Sequence, residues 1–301
     1  MMKMNPKTFL GWFEKNINNS RLEKSKLIIN KKVSEMFVLR EDLIHPIASG
    51  NKLRKLKYNL LQSELENCTG IISYGGAYSN HLLACASLTM ELGIPVVLYV
   101  RGDELNNQSN GVLSKCHELG AKLCFISRSE YKERKLTSGI VDYHGKKSWS
   151  IPEGGANDFG VQGCKEIVSN LHDFNNVVLS VGTATTLLGV LSGLNPNTKL
   201  FYSPIVDNWD MSAHLRKYFN FQGQTTNLIQ VPNLHPERFG KISPSIREFV
   251  ETFNNENEMQ LDPLYTGKTL YNFLKTYESE KSIDLSKTVF IHTGGINQKY
   301  W

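Results

Sequence analysis

The chain has 301 residues and a formal net charge of +5; 40% of its residues are hydrophobic and 21% charged. These are the values of an ordinary globular protein with one large or two medium domains, and so small a surplus of bases, spread along the chain, gives no ground for a nucleic-acid-binding protein. No apolar run approaches the length of a membrane-spanning helix, and the charged start MMKMNPKTFLGWF holds none long enough for a signal peptide, so a cytoplasmic protein is expected.

In chain order, SEMFVL (34–39) reads as a strand, and 53–66 as a helix in which Leu53, Leu56, Leu60 and Leu61 recur at helical spacing with bases between them. GIISYGG is a buried strand entering a glycine turn, HLLACASLTMELG a helix closed by Gly93, and PVVLYV a strand. NGVLSKCHELG is a helix and AKLCFIS a strand; FGVQGCKEIVSNL, NVVLSVG and TTLLGVLSGL repeat the helix–strand–helix alternation. KLFYSPI is a strand, SPSIREFVETF and TGKTLYNFLKTYES are helices, and TVFIHTGG is a last strand. Strands alternating with helices predict an α/β fold with parallel sheets flanked by helices. The five cysteines, Cys68, Cys85, Cys116, Cys124 and Cys164, are odd in number and lack a CxxC pair; buried reduced thiols are expected, not a zinc site.

Three strands end in a glycine-bearing turn that leads into a helix, the place where open parallel sheets bind ligands. In SVGTATTLLG, Gly182 permits a sharp turn, and Thr183, Ala184, Thr185 and Thr186 sit at a helix start: an anion site suited to phosphate, or a tight turn with a threonine cap. In GGAYSNH, Ser79 or Asn80 caps a helix, while the pair Gly75-Gly76 exceeds what capping needs and suggests close approach of a ligand. In PEGGANDFG, a loop whose Asn-Asp caps the next helix is the preferred reading. ASGNKLRKLKY puts Lys52 at a helix start, where the macrodipole prefers acids; this local conflict marks either a lysine placed for chemistry or one more base. Arg54, Lys55 and Lys57 read as a solvated helix face. In LDPLYTGKT, Tyr265 is a packing group or a phenol at a site; in FIHTGG, His292 reads as a satisfied core histidine, and Thr293 offers a hydroxyl at the strand's carboxyl end.

Taken together, REDLIHPIASGNKLRKLKY, SYGGAYSNH, IPEGGANDFG, SVGTATTLLG, LDPLYTGKT and FIHTGG resemble the pyridoxal-phosphate enzymes of fold type II, in the group containing 1-aminocyclopropane-1-carboxylate deaminase and D-cysteine desulfhydrase. The resemblance spans 40–295 in the family's order. It implies a two-domain fold of the tryptophan-synthase-β type, with 53–160 inserted as a smaller domain into a larger one made of 1–52 and 161–301. It implies pyridoxal 5'-phosphate held by Lys52 as a Schiff base, with Asn80 on the ring hydroxyl, Gly182, Thr183, Ala184, Thr185 and Thr186 on the phosphate, and Thr293 at the pyridine nitrogen. Ser79 and Tyr265 would face the substrate, in a substrate-binding set of Tyr78, Ser79, Asn80, His81 and Tyr265. A homodimer acting on a small amino acid is expected, without nucleic acid, membrane or metal.

Three departures from the family pattern stand out. Tyr78 replaces a glutamine; Phe239, in HPERFGK, stands where the deaminase has a second tyrosine; and the phosphate loop has Ala184 and Thr185 where glycine is more permissive. The expected activity is β-elimination from D-cysteine to pyruvate, hydrogen sulfide and ammonia, since a phenol for opening a cyclopropane ring is missing and a neutral threonine at the pyridine nitrogen suits a good leaving group. The alternatives are the deaminase reaction, a cofactor-binding homologue without turnover, and a phosphate-binding α/β protein with no such cofactor.

Overall fold

The computed structural model describes residues 6–29, 32–204, 209–234, 241–280, 283–296 and 300. It divides into two compact units, one of Met1–Asn18, Ile44–Gly163 and Asn297–Trp301, the other of Asn19–Leu43 and Cys164–Ile296. No described helix is long and apolar enough to cross a membrane.

The first unit is built on a five-stranded sheet in the order Lys122–Ile126, Val96–Arg101, Ile71–Gly75, Lys146–Ile151, Gly139–Tyr143. The first four strands run parallel and the last is antiparallel. Ile71–Gly75 is buried at every position, the pattern of a parallel strand covered on both faces. Helix Asn51–Leu65 sends Leu53, Leu56 and Leu60 into a core shared with Leu82, Leu83 and Leu88 of helix Asn80–Glu91. Phe9 and Phe13, one helical turn apart on helix Pro6–Ile17, join the same core. This is why the N-terminal helix belongs to this unit, whereas the expected boundaries at 52 and 160 placed it with the other; the unit resumes at Ile44 and runs to Gly163.

The same packing corrects the reading of the bases after Lys52. Arg54, Lys55 and Lys57 are 1%, 4% and 2% exposed, so they are not a solvated face. Lys57 pairs with Glu14 of the N-terminal helix, a partner 43 residues away that charge patterning along one helix does not reveal. Gly11 of that helix is exposed and has no atom within 4 Å of where a Cβ would lie. Gly11→Ala is therefore expected to stabilise the protein by about 1 kcal/mol through helix propensity alone, read as a raised melting temperature.

The second unit carries a six-stranded sheet in the order Leu22–Ile29, Lys32–Leu39, Thr288–Ile291, Asn176–Val181, Lys199–Pro204, Leu228–Gln230. Only the first pair is antiparallel among these described strands. Met36, Val38, Val178, Phe201, Phe273 and Phe290 fill one side, covered by helices Pro244–Asn257 and Thr266–Glu280. The expected helix over FGVQGCKEIVSNL is an α-helix only at Asp158–Lys165 and continues as a 3-10 turn, Glu166–Asn170. The thiols of Cys85, Cys116 and Cys164 are buried, but Cys68 and Cys124 are only half-buried.

Candidate active site

In the first unit, Lys52 is the second residue of helix Asn51–Leu65, and its Nζ donates to Asn51 Oδ1 at 2.7 Å. The loop before it is held by His45, which sequence reasoning passed over. His45 Nδ1 accepts the N–H groups of Ile47 (3.2 Å) and Ala48 (2.9 Å), and its Nε2 faces Glu91 at 3.0 Å. An imidazole that accepts at Nδ1 carries its proton on Nε2, so one ring ties the loop before Lys52 to the helix of Asn80.

That helix starts where strand Ile71–Gly75 ends. Ser79 is its N-cap, its hydroxyl accepting from Leu82 N at 3.4 Å. Gly75 has a packing reason: a Cβ there would come within 2.6 Å of Leu82 and 2.8 Å of the Ser79 hydroxyl, so close approach of the helix suffices to explain it. Tyr78 is 59% exposed. Asn80 Oδ1 is buried and has no hydrogen-bond partner among the described residues. His81 is buried, with Nε2 on Ser73 Oγ at 2.8 Å and Nδ1 likewise without a partner. Burial first, and then the charges of Lys52 and Lys55, push this imidazole down to about 3, so it is neutral at physiological pH. The PEGGAND turn closes on the same place: a Cβ on Gly155 would lie 3.1 Å from Lys55 and 3.7 Å from the His81 ring. Asn157 caps the following helix through Gly160 N and pairs with the Asn59 amide, the capping role expected for that turn. Lys52, the SNH turn and the PEGGAND turn thus gather within one unit.

The second unit gathers the other three stretches. Strand Asn176–Val181 leads into Gly182, which is exposed, and the helix Thr185–Leu191. Ala184 sits at the N-cap with φ 62° and ψ −7°, the left-handed region where glycine was expected; an alanine there carries about 1–2 kcal/mol of backbone strain. Thr183 and Thr185 hydroxyls lie 2.9 Å apart, and Thr186 Oγ1 is 3.8 Å from the buried Cys164 sulfur. Backbone amides at a helix start are a usual basis of anion binding. Thr293 follows the strand Thr288–Ile291, and its hydroxyl is 3.1 Å from Ser180 Oγ, so two neutral hydroxyls meet at the carboxyl ends of adjacent strands.

His292 is fully buried; its Nδ1 accepts Gly294 N at 3.4 Å, and its Nε2 lies 3.9 Å from Asp42, itself gripped by Arg40 at 2.9 and 2.8 Å. Tyr265 stands just before helix Thr266–Glu280, and its phenol is pushed up to about 12, first by burial and then by the charge of Asp262. It is a proton donor at neutral pH, not a phenolate. Phe239 lies outside the described residues.

The model of the family described as "Pyridoxal-phosphate dependent enzyme" matches residues 14–206. The chain belongs to this family. It is a pyridoxal-phosphate-dependent enzyme, and a protein of Thermotoga maritima that bears the name of 1-aminocyclopropane-1-carboxylate deaminase is 28% identical to it over 295 residues, covering 87% of this chain and 88% of its own. A bifunctional D-cysteine desulfhydrase/1-aminocyclopropane-1-carboxylate deaminase of Arabidopsis thaliana is 25% identical over 87% of this chain and 73% of its own, and a D-cysteine desulfhydrase of Yersinia pestis 24% identical over 92% of each. Among solved structures, an ACC deaminase homologue superposes with a TM-score of 0.76 at 21% identity, covering 99% of this chain and 97% of that one, which shows the shared fold.

The groups present suit that cofactor. Each unit by itself holds groups of the kind that cofactor needs: the first an amine at Lys52 and a buried acceptor at Asn80 Oδ1, the second hydroxyls in the 182–186 turn at a helix start. A left-handed alanine in that loop is the kind of strain kept where a loop must hold one shape.

Proposed function

We propose that the enzyme is a lyase acting on a small amino acid, with D-cysteine β-elimination to pyruvate, hydrogen sulfide and ammonia as its reaction. Lys52 would hold pyridoxal phosphate through its amine, Asn80 would bond the ring hydroxyl, Gly182 to Thr186 the phosphate, and Thr293 the pyridine nitrogen. When bound, the cofactor supplies the electron sink that stabilises the charge left by removal of the α-proton. Lys52 Nζ moves that proton, and Ser79, already oriented by its capping bond, faces the substrate carboxylate. Tyr78, Asn80 and His81 complete the substrate set; His81, neutral and bonded to Ser73, acts through its remaining Nδ1 and not as a charge. Tyr265, a phenol that stays protonated, donates its proton toward the departing group.

The observation that carries the choice of reaction is the Thr293–Ser180 pair. Two hydroxyls offer a hydrogen bond without a charge and do not themselves favour a protonated ring nitrogen; a weaker electron sink suits a substrate with a good β-leaving group, as the thiolate of cysteine is. Relatives carry the names of both activities, so the test is a panel of D-cysteine, L-cysteine, D-serine and 1-aminocyclopropane-1-carboxylate, with sulfide, pyruvate and 2-oxobutyrate measured. D-Cysteine is expected to be turned over fastest. Cyclopropane turnover above that of D-cysteine would overturn the assignment. Phe239→Tyr is expected to leave D-cysteine turnover within about threefold, since β-elimination does not need a second phenol; a near-complete loss would contradict the place given to Phe239.

A further inference from the structure

Asp262 is a buried acid that none of the roles above uses. It is 0% exposed, and its carboxylate is fully occupied by the segment that follows it. Oδ1 accepts Leu264 N at 3.0 Å and Tyr265 N at 2.6 Å; Oδ2 accepts Thr266 N at 3.1 Å and the Thr266 hydroxyl at 2.7 Å. A second contact ties it to the strand end that bears Thr293. Gly295 has φ 91°, and a Cβ built on it would lie 2.5 Å from Asp262 Oδ2. The carboxylate therefore sits against both the Thr293 turn and the entry to the Tyr265 helix, with the shortest of its backbone bonds on Tyr265 itself.

Capping alone would account for the bonds to the N–H groups of Leu264, Tyr265 and Thr266. It does not account for complete burial, for a carboxyl that burial pushes above its ordinary range, or for a glycine that must leave room for it. We infer that Asp262 is the positioning residue of Tyr265, fixing the backbone from 262 to 266 so that the phenol is held at one place relative to the Thr293 turn. The inference rests on the reading of Tyr265 as a substrate-facing phenol.

The test is a double-mutant cycle in the holoenzyme, using the fastest amino acid of the panel and the thermal melt of each variant. Asp262→Asn keeps one acceptor oxygen but turns an amino group toward the Thr266 donors. If Asp262 acts through Tyr265, this change lowers kcat on the order of tenfold to a hundredfold, the scale of a displaced catalytic group. In a Tyr265→Phe background the same change costs less than about threefold, while the loss of melting temperature is the same in both backgrounds. An equal kcat loss in both backgrounds would overturn the inference and leave the reading of Tyr265 intact. Full activity of Tyr265→Phe would overturn that reading, and the inference with it. Where Asp262→Asn does not fold, Asp262→Ser, which keeps a capping oxygen, replaces it in the same cycle, with the same two outcomes.

Discussion

Lys52→Ala is expected to remove the visible absorbance of the bound cofactor and to lower turnover by about a thousandfold or more, the scale of a lost acid–base or covalent group. Position supports this as much as residue type. Lys52 opens a helix whose next bases are sequestered in the fold, and His45 anchors the loop that delivers it. Lys52→Arg separates amine chemistry from charge: a guanidinium keeps the charge but does not condense with an aldehyde, so the same losses are expected. Spectra after reconstitution with pyridoxal phosphate, together with product assays, check both variants. Retention of wild-type turnover in either would remove Lys52 from the mechanism.

The largest expected effect on stability comes from a residue outside the chemistry. Gly163, in helix Asp158–Lys165, lies so close to helix Asn51–Leu65 that a Cβ on it would stand 1.9 Å from the Arg54 carbonyl oxygen and 2.7 Å from its carbon. Both obstacles are backbone, so a helix must move. Gly163→Ala gains about 1 kcal/mol of helix propensity, but forced separation of packed helices costs about 3 kcal/mol or more. The net loss of about 2 kcal/mol corresponds to a fall in melting temperature of ~4–8 °C. Because the displaced helix begins at Asn51 and Lys52, cofactor affinity is expected to fall as well. A melting temperature equal to that of wild type would show that the two helices part without cost.

The parallel cores were legible because they repeat one signal. Ile71–Gly75 and Asn176–Val181 are short apolar runs ending in glycine turns, and such runs have few other uses in a chain that alternates them with helices. The antiparallel strands Leu22–Ile29 and Gly139–Tyr143 were not read, and neither was Lys146–Ile151, which runs parallel to Ile71–Gly75. Leu22–Ile29 is a lysine-bearing edge strand whose inward residues include Ser25, and Gly139–Tyr143 alternates too weakly to stand out. Helix Pro6–Ile17 carries only a short signal, Phe9 and Phe13 one turn apart.

The site was legible as motifs and not as partnerships. Lys52, Asn80, Thr293 and the 182–186 turn stand out by type and by place at strand or helix ends. What supports them depends on residues distant in sequence: Glu91 for His45, Ser180 for Thr293, Gly295 for Asp262. Asp262 itself could have been found, since an aspartate followed by proline shortly before a helix start is a capping signal. The burial of Lys55 and Lys57 could not, because charge marks a surface by default and only the tertiary partner reverses it.

The most direct test of the central claim is the visible absorption spectrum of the purified protein before and after addition of D-cysteine, with sulfide measured in the same sample. A cofactor band in the resting protein that shifts on addition while sulfide and pyruvate appear is the predicted result. No band, even after incubation with pyridoxal phosphate, or a band that shifts while no product forms, would contradict it.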